Sequence, residues 1–344
     1  MKDVAKAAGV SQSTVSRILN DAPMRIPVSQ ETRERIIAIA GGLGYRPHPF
    51  ARALRGAPTM LLGAVVRDIT DIFFATAIDA LSAEARKRGY SVVLGHAGQR
   101  ADEALALTAV LEARQCDAIV ILGDFTDEPR LIDDLRRASM PVVGLWHGTR
   151  LEGFSTVGVD NAAGITRALE HLVRLGHSQI AFVGGESLGD IRERQAAFEA
   201  FVERHSIEVP PNHIQHVQNT TSGAIQAFEA FRDSETAPTA IVAATDVLAI
   251  GTIYAAHSAG LAIPDELSIV GFDDIPLAAA TFPGLTTVRM PIAEMVAAAV
   301  DLAVGEARIS DHDKPPSHQT FEPTFIERHS TAAAIRAATR TATG

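Results

Sequence analysis

The chain has 344 residues, 47% of them apolar, and a formal net charge of −10, which allows two or three domains with substantial cores. Its one cysteine, Cys116, excludes an internal disulfide and a cysteine-based zinc site and suits a reducing compartment. No apolar stretch is long enough to span a bilayer and the N-terminus lacks the basic-then-apolar order of a signal peptide, so a cytoplasmic, membrane-free location is expected.

The charge is unevenly distributed. Residues 1–58 carry about nine Lys and Arg against about four acids, which leaves about −15 for the rest. A small basic module on a large acidic one fits a polyanion-binding head on a soluble body, and equally a solvated basic surface. Residues 2–8, "KDVAKAA", have Val4, Ala5 and Ala8 on one helical face. Gly9 breaks that helix, and Ser11 can cap the next, Gln12 to Leu19. Val15, Ile18 and Leu19 then face inward, leaving Gln12, Ser13, Ser16 and Arg17 outward. Ser29 opens a third helix with Ile36, Ile37 and Ala40 on its core side. Three short helices with a tight glycine turn between the first two describe a helix-turn-helix head.

In "YRPHPFARALRGAPT", residues 45–59, Pro47 and Pro49 stop the third helix, and Phe50 to Leu54 has room for one or two turns. So short a helix needs a partner surface to persist. From Met60 apolar runs such as "MLLGAVV", "YSVVLG", "DAIVIL", "PVVGLW", "QIAFVGG", "AIVAAT" and "LSIVGFDD" alternate with helical stretches. That alternation predicts parallel sheets covered by helices on both faces, too long for a single sheet, hence two subdomains with a cleft between them. Ligands of such sheets bind beyond the carboxyl ends of the strands, where Asp160 and Asp273 fall. Cys116 reads as a buried spacer before a strand. His177 reads as a helix C-terminal residue whose charge is favoured there. The closing "STAAAIRAATRTATG" reads as frayed helix or disorder.

These motifs, in order and spacing, resemble the LacI/GalR family of bacterial transcription regulators: "KDVAKAAGVSQSTVSRILN", "ETRERI" with "LGYRPHPFARALR", "DITDIFF", "VDNAAG", "LGHSQIAFVGG", "PTAIVAATDVLAIG", "IPDELSIVGFDD", "PGLTTVRMP" and "FIERHST". The resemblance covers residues 2 to about 331. It implies an all-α helix-turn-helix head (1–45), a hinge helix and linker (46–58), and an α/β core (59–331) of two doubly wound parallel-sheet subdomains like periplasmic binding proteins. The first subdomain would hold 59–160 plus 290–320, the second 161–289 plus 321–331, with a flexible tail at 332–344.

By position, the resemblance places Gln12, Ser13 and Arg17 at base edges in the major groove and Ser11, Thr14 and Ser16 at phosphates. Ala51, Arg52 and Leu54 fall in the hinge helix, with Leu54 as the wedge between central base steps of a minor groove. The effector positions are Asp71, Phe73, Phe74, Trp146, Asp160, Asp190, Arg194, Gln218, Thr245 and Asp273, with Phe73 and Phe74 expected to diverge, one into the core and one into the cleft. The implied partners are double-stranded operator DNA, a second copy of the chain, and a small molecule, a sugar in the first place and a nucleobase as the alternative. No cofactor or metal is implied. The implied activity is sequence-specific, ligand-controlled transcription regulation, repression being the expected sense.

The chain departs from the family at positions 71 and 72, where Asn-Pro is usual, and at Trp146-His147, where many members carry aspartate then arginine. It also lacks the threonine that usually precedes the segment matched by Met1, which implies a weakened phosphate contact or a misassigned start. Two rivals follow from the residues. "GESLG" at 185–189 satisfies the G-x-S-x-G pattern of a serine hydrolase, but no helix is expected directly after Ser187. A transporter's solute receptor would share the core but not the head. The histidines show no metal-binding spacing.

Overall fold

A computed structural model describes residues 1–19, 28–45, 58–125, 129–145, 153–185, 189–232, 234, 236–308 and 315–334. It divides into two compact units, Met1–Leu61 and Leu62–Gly344.

In the first unit, α1 (Lys2–Ala8), α2 (Gln12–Leu19) and α3 (Gln30–Gly42) enclose a core of Val4, Ala5, Ala8, Val15, Ile18, Ile36 and Ala40. Gly9 takes φ 69°, a left-handed conformation that glycine adopts without strain, and ends α1. Ser29 caps α3 by accepting a hydrogen bond from Thr32 N at 3.3 Å. Two expectations are corrected here. Ile37 is 51% exposed, because the inward stripe of α3 is Ile36, Ile39 and Ala40 and Ile37 lies about 100° around the helix from Ile36. Ser16 is 5% exposed, set into the inward side of α2 beside Val15 and Leu19 and not on the outward face.

The second unit holds two six-stranded sheets. The first contains β1 (Leu61–Val66), β2 (Ser91–His96), β3 (Ala118–Leu122), β4 (Val142–Leu145), β5 (Ser155–Val159) and β11 (His318–Phe321), in the order β11-β5-β4-β3-β1-β2. The second contains β6 (Ile180–Gly185), β7 (Ile214–Val217), β8 (Ala240–Ala243), β9 (Ser268–Asp273), β10 (Thr286–Arg289) and β12 (Thr324–Ile326), in the order β12-β10-β9-β8-β6-β7. β12 runs antiparallel to β10. β3 and β6 are buried along their whole length, which is why they read as unbroken apolar runs.

Helices α4 (Ile72–Lys87), α5 (Ala101–Ala113), α6 (Pro129–Arg136) and α11 (Ile292–Ala307) belong with the first sheet, and α7 (Asn161–Arg174), α8 (Gly189–Arg204), α9 (Thr221–Arg232) and α10 (Asp246–Ser258) with the second. The chain crosses between the sheets after β5, after β10, and between β11 and β12. Strands β5, β7, β10, β11 and β12 and helices α9 and α11 lie outside the expected alternation. α8 starts at Gly189, closer to Ser187 than the sequence implies. Ser187 itself lies outside the described residues.

Three further side-chain readings meet the structure. Cys116 is buried, and burial pushes its thiol pKa up to about 11. His177 is also buried, bonded to Thr239 Oγ1 at 2.9 Å, Ser268 Oγ at 3.1 Å and the Ala332 carbonyl at 3.0 Å. Burial lowers its pKa, so it is a neutral tie and not a favoured helix-end cation. The chain from Ser330 to Ala334 is fastened, not frayed: Ser330 Oγ accepts from Thr286 N at 2.8 Å, Ala332 N donates to Ser268 Oγ at 3.0 Å, and Ala334 N to the Leu175 carbonyl at 2.9 Å. Residues 335–344 lie outside the described residues.

Gly164, on α7, lets that helix sit directly on the second sheet. A Cβ there would stand 2.6 Å from Phe272 Cε2 and 3.0 Å from Val288 Cγ1. Gly164→Ala is therefore expected to destabilise the core by about 1–3 kcal/mol through overpacking. Urea unfolding of the two proteins measures this, and equal midpoints would show that α7 rides outward at no cost.

Candidate functional site

On α2, Ser11 Oγ accepts from Thr14 N at 3.1 Å, so Ser11 is the expected cap. Its oxygen also sits 2.7 Å from Ser13 Oγ and 2.8 Å from Thr14 Oγ1. The Ser13 and Thr14 hydroxyls are thus turned onto the cap. Gln12 and Arg17 stand exposed, whereas Ser16 is buried. Ala51, Arg52 and Leu54, and Trp146 in the core, lie outside the described residues.

The second unit holds a small cavity of about 30 Å³ beyond the carboxyl ends of both sheets. Asp71, Phe73 and Phe74 line it from the first subdomain, Asp190, Arg194, Thr245 and Asp273 from the second. Phe73 and Phe74 do not diverge. Both are buried and both line the cavity, their rings edge to face at 5.4 Å, because the first turn of α4 points its apolar side at the cleft.

Two expected residues fall elsewhere. Asp160 follows β5, but its carboxylate turns back to cap α7, accepting from Ala163 N at 2.8 Å, and it lines a separate groove with Glu193 and His318. Gln218 is exposed, and the next residue, Asn219, lines the cavity. Arg67, Gly123, Asp124, Ile191 and Asn219 also line it. Arg67 and Asp124 closely follow β1 and β3, so the carboxyl-end rule points to both. Asn219 follows β7, whose "IQHV" is too polar to announce a strand.

Hydrogen bonds cross the cleft. Asp71 Oδ2 accepts from Asn219 Nδ2 at 3.2 Å, while its Oδ1 caps α4 at Phe73 N at 3.0 Å. The Asp124 carboxylate accepts from Gly189 N at the start of α8, where the helix dipole favours an anion. Asn219 Oδ1 in turn accepts from Thr245 Oγ1 at 2.6 Å, and that threonine caps α10.

Arg194 is 2% exposed. Its Nε donates to Asn161 Oδ1 at 2.9 Å, and Nη1 donates to the Ala244 carbonyl at 2.6 Å and to Asp273 Oδ1 at 3.3 Å. Nη2 reaches Met290 Sδ at 3.7 Å and lies 3.6 Å from Asp190 Oδ2. The guanidinium stacks on Phe272 with its carbon 3.7 Å from the ring centroid. Burial holds Asp273 well above the usual carboxylate range. Arg194 opposes that shift, and the charges of Asp246, Asp71 and Asp190 add to it. Burial also raises Asp71. Asp246, beneath the site, accepts from Thr287 Oγ1 at 2.5 Å and Ile275 N at 2.9 Å, and burial pushes its pKa up to about 7. Carboxylates beside apolar rings suit a ligand that donates several hydrogen bonds and offers an apolar face. Among the described residues no group of three or more His, Cys, Asp or Glu is placed to hold a metal ion.

Residues 1–48 match the family model described as bacterial regulatory proteins, lacI family, and residues 169–331 match that of the periplasmic binding protein-like domain. The chain is 31% identical to the HTH-type transcriptional regulator AscG of Escherichia coli over 98% of this chain and 99% of that protein. Among solved structures it resembles the lac repressor dimer bound to operator and the anti-inducer ONPF, with TM-score 0.83, 25% identity and 96% and 98% of the two chains covered. It also resembles a LacI family transcriptional regulator from Enterococcus faecium with bound ribose, with TM-score 0.70, 26% identity and 80% and 100% covered.

Asp246 gives a pH signature. Its carboxyl titrates at about 7 when folded against 3.8 as an ordinary carboxyl, so folding retains a proton between those values and this residue's contribution to stability falls as pH rises from about 4 to about 7. The difference in unfolding free energy, wild type minus Asp246→Asn, is expected to decline across that window and to be flat on either side. Urea titrations at pH 4.5, 6 and 8 measure it, and a constant difference would mean that Asp246 stays ionised in the fold.

Proposed function

The chain belongs to the LacI family of bacterial regulatory proteins, and on that premise we propose a homodimeric repressor whose heads read an operator through Gln12 and Arg17 and whose cleft binds a small sugar. It is a DNA-binding transcriptional regulator and not an enzyme. What carries the fuller reading is the union in one chain of an exposed Gln12–Arg17 face on α2 with a small, carboxylate-lined cavity in the core.

The Gln12 amide matches adenine N7 and N6, and the Arg17 fork matches guanine O6 and N7. Ser11, Ser13, Thr14 and Ser16 support these two, with Ser11 reaching phosphate. Ala51, Arg52 and Leu54 serve the hinge. The division proposed is head 1–45, hinge 46–58, core from 59, with 290–320 returning to the first subdomain and 321–331 to the second. Sheet membership of α11, β11 and β12 supports it. For the homodimer, Tyr254, Leu277 and Phe282 are large apolar side chains left on the surface of the second subdomain, Phe282 at 91% exposure, and a second copy would cover them. Among the described residues no helix is long and apolar enough to cross a membrane, and we place the protein in the cytoplasm, with its DNA.

Sugar hydroxyls would donate to Asp71, Asp190 and Asp273, with Phe73 and Phe74 against a ring face; Trp146 would add a second stacking surface. A ligand there competes with or completes the bonds that Asp71 and Asp124 make across the cleft. It therefore binds open and closed forms unequally, the condition for control of the heads.

A thermal-shift screen of sugars, polyols and nucleobases is expected to give one stabilising class, lost in Asp190→Ala and Asn219→Ala. Stabilisation by none of them would set aside the sugar reading. On an operator selected from random duplexes, Arg17→Ala is expected to cost about 1–3 kcal/mol and relax preference at one base pair. Equal weakening on every sequence would make Arg17 a phosphate contact.

A further inference from the structure

Arg194 serves more than the cavity. Two of its partners, Asn161 and Met290, border two of the three chain crossings between the subdomains, after β5 and after β10. The third crossing is held from α7 by Arg167, which donates to the Pro323 carbonyl and to Glu322 Oε2 at 2.8 Å. The guanidinium thus touches both the cleft carboxylates and residues at the segments by which the chain passes between the subdomains.

Asn161 is placed to carry that link. It is the first residue of α7, directly after the crossing. Its Oδ1 accepts from Arg194 Nε at 2.9 Å, and its Nδ2 donates to Glu193 Oε2 at 2.8 Å. Glu193 and Arg194, neighbours on α8, therefore grip the two ends of one amide. A guanidinium only donates and a carboxylate only accepts, so together they allow the amide a single orientation. The same helix begins at Gly189, whose N–H makes the cross-cleft bond to Asp124.

We propose that Asn161, oriented by Glu193, is a positioning residue that ties Arg194 to the subdomain crossing and so holds the cleft closed. A shift of Arg194 when a ligand engages Asp190 or Asp273 then pulls on the crossing through Asn161. The link is independent of whether the ligand is a sugar.

The test reads closure directly. Val110 on α5 and Glu229 on α9 are exposed, one on each subdomain. Val110→Cys and Glu229→Cys carry spin labels, Cys116 being buried with a weakly acidic thiol. Labelled full-length chain is mixed with excess unlabelled chain so that distances within one chain dominate the pulsed-dipolar signal. The parent is expected to give one narrow distribution. Asn161→Asp sets two carboxylates against each other and is expected to broaden and lengthen it. Adding Glu193→Gln supplies an amide donor to the carboxylate introduced at position 161. The pair N161D/E193Q is expected to return the parent distribution, a rescue that a merely space-filling Asn161 would not show. An unchanged distribution in Asn161→Asp overturns the proposal. So does a double variant that stays open or does not fold. Should Asn161→Asp alone fail to fold, a double variant that folds with the parent distribution sustains it.

Discussion

A guanidinium with almost no access to water governs the second unit. Taking a charge out of water costs several kcal/mol unless its donors are met, and Arg194 is met by an amide, a main-chain carbonyl, two carboxylates, a thioether and an aromatic face. Those partners come from α7, the segment after β8, α8, β9 and the segment after β10, so satisfying one side chain fixes the mutual placement of most of the second subdomain. Phe272, beneath the guanidinium, touches the place where Gly164 lacks a side chain. Gly271 likewise leaves room for the Asp246 carboxylate, which a Cβ would strike. The small residues are small because the charged centre and its supports fill the space.

Collecting carboxylates around one arginine also has an electrostatic cost. Asp71, Asp190 and Asp273 repel one another, and burial makes Asp71 and Asp273 harder to ionise than exposed carboxyls would be. Within a cleft that is a source of sensitivity. Groups held near a balance between burial and charge respond to whatever next donates a hydrogen bond to them.

Where apolar pattern and burial coincide, the architecture was legible in the sequence. Strands β1, β3, β6, β8 and β9 are buried through most of their length and appear as apolar runs. Strands β7 and β11 are edge strands with polar sequences, "IQHV" and "HQTF", and carry no such signal. The site followed the same logic. Residues matched to the family and standing at helix starts, Asp71, Asp190 and Thr245, meet at the cavity. Asp160 had the right address and the wrong direction, because its nearest unpaired donor was the N–H of its own helix. Ser16 and Ile37 failed for a narrower reason: on a short helix, one residue's rotation decides between core and solvent.

The hydroxyl cluster at the start of α2 limits how much a head can say. Ser13 and Thr14 hold their hydroxyls within hydrogen-bond distance of Ser11, so in the proposed reading the helix offers Gln12 and Arg17 as its two discriminating side chains, enough for about two base pairs. A message that short recurs by chance throughout a genome, where about 10⁶ or more competing sites are on offer. One head alone is nearly illiterate. Address-level information has to come from repeating the short word twice at a fixed interval, and the spacing between two copies becomes part of the text that is read.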